Sequence, residues 1–256
     1  MLKSFDMDTK NNTPLFSNIH LSCNVLKLIA CVIMAFDHFS YGLIHNYLKI
    51  HGMDLLPETY TKLNNIHEVC RGVGRIAFPI FCFFLVEGFI RTRNVYKYAA
   101  RLAVFAVISE IPFDLGLYGR MFYWDHQNII LTFLIALVMM MILKFLEENS
   151  WGLSSFVVFL AKICTVIALA DVAYLIHADY SWKCMLLVAV LYLFRGAGAL
   201  RFIAGAAATS WEKYAPFSFI LLYFYDPEIR PRFKYAFYLF YPVHLFIVYL
   251  IARLII

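Results

Sequence analysis

The chain reads as long apolar runs separated by short polar stretches. The runs occupy 21–45, 75–90, 98–117, 128–146, 152–176, 182–194, 197–210, 214–225 and 235–255. They lack the strict alternation of strands and predict helices. About 20 apolar residues are needed to cross the hydrocarbon of a bilayer. The runs at 182–194, 197–210 and 214–225 fall short of that, so two of them can merge or tilt. The expectation is an all-α, polytopic transmembrane helical bundle of eight or nine spans. Between the first two runs, 46–74 is the one loop long enough to carry structure of its own. Residues 1–20 are polar and hold no apolar signal core. They predict a cytosolic N-terminal tail, followed by one transmembrane domain over 21–256.

Composition agrees with this pattern. Hydrophobic residues make up 62% of the chain and charged residues 15%, against about 45–50% and 25% in soluble domains. Mean hydropathy is +0.72. A soluble globule and a disordered chain are both excluded. The six cysteines show no paired spacing, so a secreted disulfide scaffold is not expected. The 22 Lys and Arg face 17 Asp and Glu without forming a block, which gives no reason to expect nucleic acid. The strongest basic cluster is Arg91, Arg93, Lys97 and Arg101, and the positive-inside rule puts it in the cytosol. With nine spans, the N-terminus is then inside and the C-terminus outside. Arg195 and Arg201, and Arg230, Arg232 and Lys234, fall on the same cytosolic side.

Charges in hydrocarbon cost about 2.5–3.5 kcal/mol each on insertion scales, so intramembrane polar groups are candidates for function. Asp37 and His38 lie in the first run. His38 is the natural general base, because its ordinary pKa lies near neutrality. Tyr41 and His45, at i+3 and i+7, are its expected face-mates. Against this stands a helix-end Asp-His pair facing headgroup water. Glu87 can pair with Arg91 at i,i+4, which is as easily an anchoring ion pair. Glu110 and Asp114 also share a face around Pro112. Two like charges there call for a raised carboxyl or an intervening cation, for which Arg75 is the candidate. Asp125, His126, Gln127 and Asn128 cluster before the fourth run, where Asn128 can cap a helix. Tyr241 and His244 mark the last run; His244 reads equally as an interhelical hydrogen bond. No zinc motif, phosphate loop or Gly-x-Ser-x-Gly elbow is present, so no metal is expected.

These polar positions sit in the strings LKLIACVIMAFDHFSYG, RGVGRIAFPIFCFFLVEGFIRTRNVYKYAARLAVFAVISEIPFDL, HQNIILTF and KYAFYLFYPVHLFIVYLI. Together they resemble the TraX family of membrane proteins, whose namesake is the acetylase of F pilin, over about residues 26–251. YDPEIRPRFK departs from the family's usual Tyr-Asn-Gly-like turn. The resemblance implies an acetyltransferase of the bacterial inner membrane that uses acetyl-CoA as co-substrate. The family also looks distantly similar to membrane acyltransferases with a His near the first span, including the lysosomal heparan-glucosamine acetyltransferase. On that analogy His38 is the matched catalytic position.

The expected mechanism needs a base, oxyanion donors and a held thioester. His38, oriented by Asp37 or Glu110, supplies the base. Arg75, Gln127 or Asn128 supply donors. Glu87, Asp114, His126, Tyr241 and His244 complete the expected substrate-binding set. Arg91, Arg93, Lys97 and Arg101 suit the phosphates of CoA entering from the cytosol. The acceptor, a peptide N-terminus, glycan or small amine or alcohol, arrives from the outer face. Two other classes compete: a proton-coupled transporter, which also needs intramembrane Asp, Glu and His, and a non-catalytic membrane scaffold.

Overall fold

A computed structural model describes residues 20–149, 152–227 and 234–255. Nearly all of the expected N-terminal tail therefore lies outside the described residues, as do Arg230 and Arg232. The described chain is helical, with two isolated bridges, Leu21 to Tyr225 and Gln127 to Ala178, and no named strand.

Helix α1 (Cys23–Phe39) starts at Ser22, whose hydroxyl accepts from the Val25 amide. It continues through a π-helical turn (Ser40–His45) into α2 (Asn46–His51). The wider turn changes which residues share a face, and such turns recur at functional sites. Gly42 lies in it, where any β-carbon would overlap Val248 and the Gly116 carbonyl. The stretch 46–74, expected as a loop, is helical for most of its length. α3 (Pro57–Gly74) has Pro57 in its first turn, where a missing N–H costs nothing. It packs along α1 and the π turn.

α4 (Ala77–Arg91) is the most enclosed helix, with buried side chains around its circumference. α5 (Val95–Tyr118) is capped by Asn94 and ends at Gly119, whose φ of 67° is left-handed. α6 (Ile129–Glu148), capped by Asn128, leads to α7 (Ser155–Leu175), where Ala173 alone is fully buried and Val166, Leu169 and Ala170 pack partly against the core. Three shorter helices follow: α8 (Ser181–Leu193), α9 (Ala199–Ala208) and α10 (Ser218–Tyr223). α11 (Lys234–Ile255) returns along α5, the most extensive helix pair in the molecule. Gly116 of α5 lies against the Leu245 carbonyl of α11 there, a close approach only glycine permits.

Among the described residues, five segments are long and apolar enough to cross a membrane: Cys23–Asp54, Pro57–Arg91, Ile129–Glu148, Ser155–Leu175 and Ala236–Ile255. The expected eight or nine spans are not recovered. α8, α9 and α10 have 13, 10 and 6 residues. At 1.5 Å per residue, none reaches across about 30 Å of hydrocarbon. α5 has the length, with 24 residues, but carries Lys97, Arg101, Glu110 and Asp114.

Candidate functional site

A cavity of about 690 Å³ runs down the inside of the bundle, a size typical of small-molecule sites. α1, α4, α5 and α11 form most of its wall. At the C-terminal end of α4 it is lined by Lys27, Arg91 and Arg101. At the opposite end it is lined by Asp37, His38, Arg71, Arg75 and Asp179. Met34, Phe81 and Tyr241 lie on the wall between them. Lys27 and His38 are 11 residues apart on α1, within about 20° of one face and about 16 Å along the axis.

His38 faces this cavity with only 13% of its side chain exposed. Its Nδ1 lies 2.7 Å from Nε2 of His244 on α11, with the rings nearly parallel. Nδ1 of His244 lies 2.8 Å from the Phe240 carbonyl oxygen. The Tyr241 ring stands at 74° to that of His38, with centroids 6.2 Å apart. The π turn sends His45 elsewhere: it stacks on Tyr41 and sits beside His67, off the cavity wall, while Tyr41 remains on the wall.

Asp37 is committed to another partner. Arg71 Nη1 donates to both of its oxygens at 2.8 Å. Gly74 makes room for this pair, since a β-carbon there would overlap the Asp37 carboxylate. Asp37 Oδ2 stands 3.9 Å from His38 Nε2, beyond hydrogen-bond reach. The hydrogen bond that orients His38 thus comes from His244 and not from Asp37. Nor does it come from Glu110, which is off the cavity wall and accepts from the side chain and backbone N–H of Asn128.

The remaining predicted positions divide in the same way. Arg75 does not lie between Glu110 and Asp114. It donates to the Tyr180 hydroxyl at 2.9 Å and pairs with Glu212 at 3.5 Å. Asp114 accepts from the Tyr123 amide, and Asn128 caps α6. Gln127 spends its side chain on the Trp124 carbonyl and its backbone on His177 and Asp179. Asp114, Gln127 and Asn128 therefore build the α5–α6 connection rather than the cavity wall. His126 reaches the wall, stacked on Tyr118. Glu87 is buried between two guanidinium groups: Arg91 at 3.0 Å and Arg201 at 2.7 Å. Arg91 also donates to the Pro227 carbonyl. Of the basic cluster, Arg91 and Arg101 reach the cavity. Arg93 and Lys97 are exposed and off its wall. Arg101 Nε is buried without a hydrogen-bond partner among the described residues.

Four wall residues escaped the sequence reading. Lys27 was findable, because it shares the His38 face of α1; its ammonium lies over Phe84 and Phe237. Arg71 was hidden in a stretch read as loop. Asp179 and Tyr180 sit in a connection that carries no sequence signal. His177, Tyr180 and Ser181 there have φ of 56°, 57° and 40°, a strain that recurs at functional sites. It is held by the bridge to Gln127, by Thr132 donating to the Asp179 carbonyl at 2.7 Å, and by Tyr180 stacked on Phe78 at 3.8 Å. The Asp179 carboxylate accepts from the Tyr180 amide. No Lys or Arg among the described residues lies within ion-pair distance of it. Burial pushes its carboxyl up, with Arg75 opposing.

The arrangement offers a buried imidazole, a carboxyl group with no ion-pair partner among the described residues and two guanidinium groups at one end of a cavity, with three cations at the other. No group of three metal-ligating side chains occurs among the described residues. Compared with known proteins, the family described as TraX protein matches residues 22–252. A curated relative, the "Probable fimbrial assembly protein FimC, serogroup H1" of Dichelobacter nodosus, is 29% identical, covering 89% of this chain and 94% of its own length. No solved structure matches the chain.

Proposed function

The chain belongs to the TraX family, and on that premise we propose that it is an integral membrane acetyltransferase. It moves the acetyl group of acetyl-CoA to an amine or hydroxyl acceptor at or across the bilayer. The single observation that carries this reading is the continuous cavity joining the His38 imidazole to Lys27, Arg91 and Arg101.

In this reading the C-terminal end of α4 faces the cytosol of a bacterium, at the inner membrane, with the N-terminus inside. CoA phosphates meet Lys27, Arg91 and the free Nε of Arg101 there, since charge-assisted hydrogen bonds favour a guanidinium. The pantetheine arm runs past Met34 and Phe81 and brings the thioester to His38. The acceptor enters at the other end, where Asp179 offers a carboxylate to an amine. His38 Nε2 takes the acceptor proton while the acceptor atom attacks the thioester carbonyl. Arg71 and Arg75 face the oxyanion that develops. The C–S bond then breaks, and the proton passes from His38 to the CoA thiolate. Acetylated acceptor and free CoA leave by opposite ends. The name of the fimbrial relative suggests a pilus subunit as one acceptor to try.

The test is purified protein given labelled acetyl-CoA and a bacterial extract. His38→Ala should abolish label transfer while leaving CoA binding intact. Full transfer by that variant would overturn the assignment. Solute flux in proteoliposomes with no consumption of acetyl-CoA would instead favour a proton-coupled carrier.

A further inference from the structure

The hydrogen bonds around His38 fix where its protons sit. The Phe240 carbonyl oxygen is an acceptor only, so the His244 Nδ1 that touches it at 2.8 Å carries a hydrogen. In a neutral imidazole the other nitrogen is then a lone pair. That lone pair, on His244 Nε2, faces His38 Nδ1 at 2.7 Å. His38 Nδ1 must therefore carry a hydrogen and donate. The chain of donors ends with a lone pair on His38 Nε2.

We infer that His244 is a positioning residue that holds His38 in the tautomer whose Nε2 is free to take a proton. The inference rests on His38 being the base of the proposed transfer. It assigns to a neutral histidine on α11 the task that a buried carboxylate performs in the serine hydrolase triad. The relay is anchored in a helix backbone, through Phe240, and His244 is 4% exposed. When His38 gains a proton at Nε2, its Nδ1–H keeps donating to His244, so no bond is broken during the step. The new N–H then lies on the side of Asp37, whose carboxylate stands 3.9 Å away. A carboxylate in place of His244 would hold the same tautomer, but would add a full buried charge to a membrane interior.

Three measurements test this. In wild-type protein labelled with ¹⁵N-histidine, the His38 signals, assigned by their loss in His38→Ala, should report a hydrogen on Nδ1. His244→Leu should lower kcat for acetyl transfer at least tenfold with little change in the KM for acetyl-CoA. His244→Gln, whose amide oxygen can accept from His38 Nδ1, should recover most of the rate. A hydrogen on His38 Nε2 in the resting protein would overturn the inference, as would an unchanged kcat in His244→Leu. The tautomer measurement needs no turnover, so it decides the relay even for a protein in which His38→Ala is fully active. That last result would remove His38 as the base of the transfer, which is a separate outcome.

Discussion

Asp179 shows most directly what a side chain costs and what it supplies. Its carboxyl is raised by burial, so the ionised form is penalised in the folded state. A carboxyl whose folded pKa lies above its unfolded value lowers stability as pH rises through the folded value. The charge on Asp179, where the carboxyl ionises, therefore destabilises the fold. Asp179→Asn keeps an oxygen for the Tyr180 amide and removes that charge. The variant is expected to melt at a higher temperature than the wild type at neutral pH, with the gain shrinking in acid. It should also bind an amine acceptor more weakly. Thermal melts in detergent across pH, beside acceptor KM values, check both. A variant that loses stability at neutral pH would mean the carboxylate is structural. Such a trade between stability and function is the usual mark of a working group.

At the scale of elements, the proposed His38–His244 relay depends on how closely α5 and α11 approach. Gly116 makes that approach possible: a β-carbon there would stand 2.6 Å from the Leu245 carbonyl oxygen. Leu245 follows His244, so anything that pushes α11 from α5 moves His244 relative to α1. Gly116→Ala should lower kcat while leaving CoA affinity near the wild-type value, measured by transfer kinetics and by direct CoA binding. Overpacking of this kind typically costs about 1–3 kcal/mol, so the variant should still fold. The same pair of helices shows what the pattern of the sequence could not convey. The glycine and the histidine were both visible, but their proximity is not encoded in either apolar run. The π turn is a similar case. Regular periodicity put His45 on the His38 face, and one wider turn moved it to His67 instead. The 46–74 stretch lacks apolar periodicity because α3 buries only His67 and Gly74, so a real helix read as loop.

Across the whole molecule, the proposed transfer would place donor binding and chemistry about three turns of α1 apart in the cavity. Lys27 and Arg101 have no carboxylate partner within ion-pair distance among the described residues, whereas Arg91 is held by Glu87. The double variant Lys27→Ala with Arg101→Ala should therefore raise the KM for acetyl-CoA strongly and leave kcat at saturation little changed. It breaks no ion pair among the described residues. An unchanged KM would place the donor elsewhere. Removing Arg91 is a poorer probe, because Glu87 would lose one of its two cations.

The sequence by itself determined that this is a helical membrane protein with polar groups inside it, because apolar runs of that length have few other fates in water or lipid. It also singled out His38, since an imidazole in hydrocarbon must have a partner or a task. Only the tertiary structure decided which partner. Asp37 adjoins His38 in sequence, yet successive residues on a helix diverge by about 100°, and Asp37 turns to Arg71. His244 lies 206 residues away and makes the contact. Pairing across a bundle is set by which helices pack and how closely, and that information is spread over the glycines and side-chain volumes of several helices.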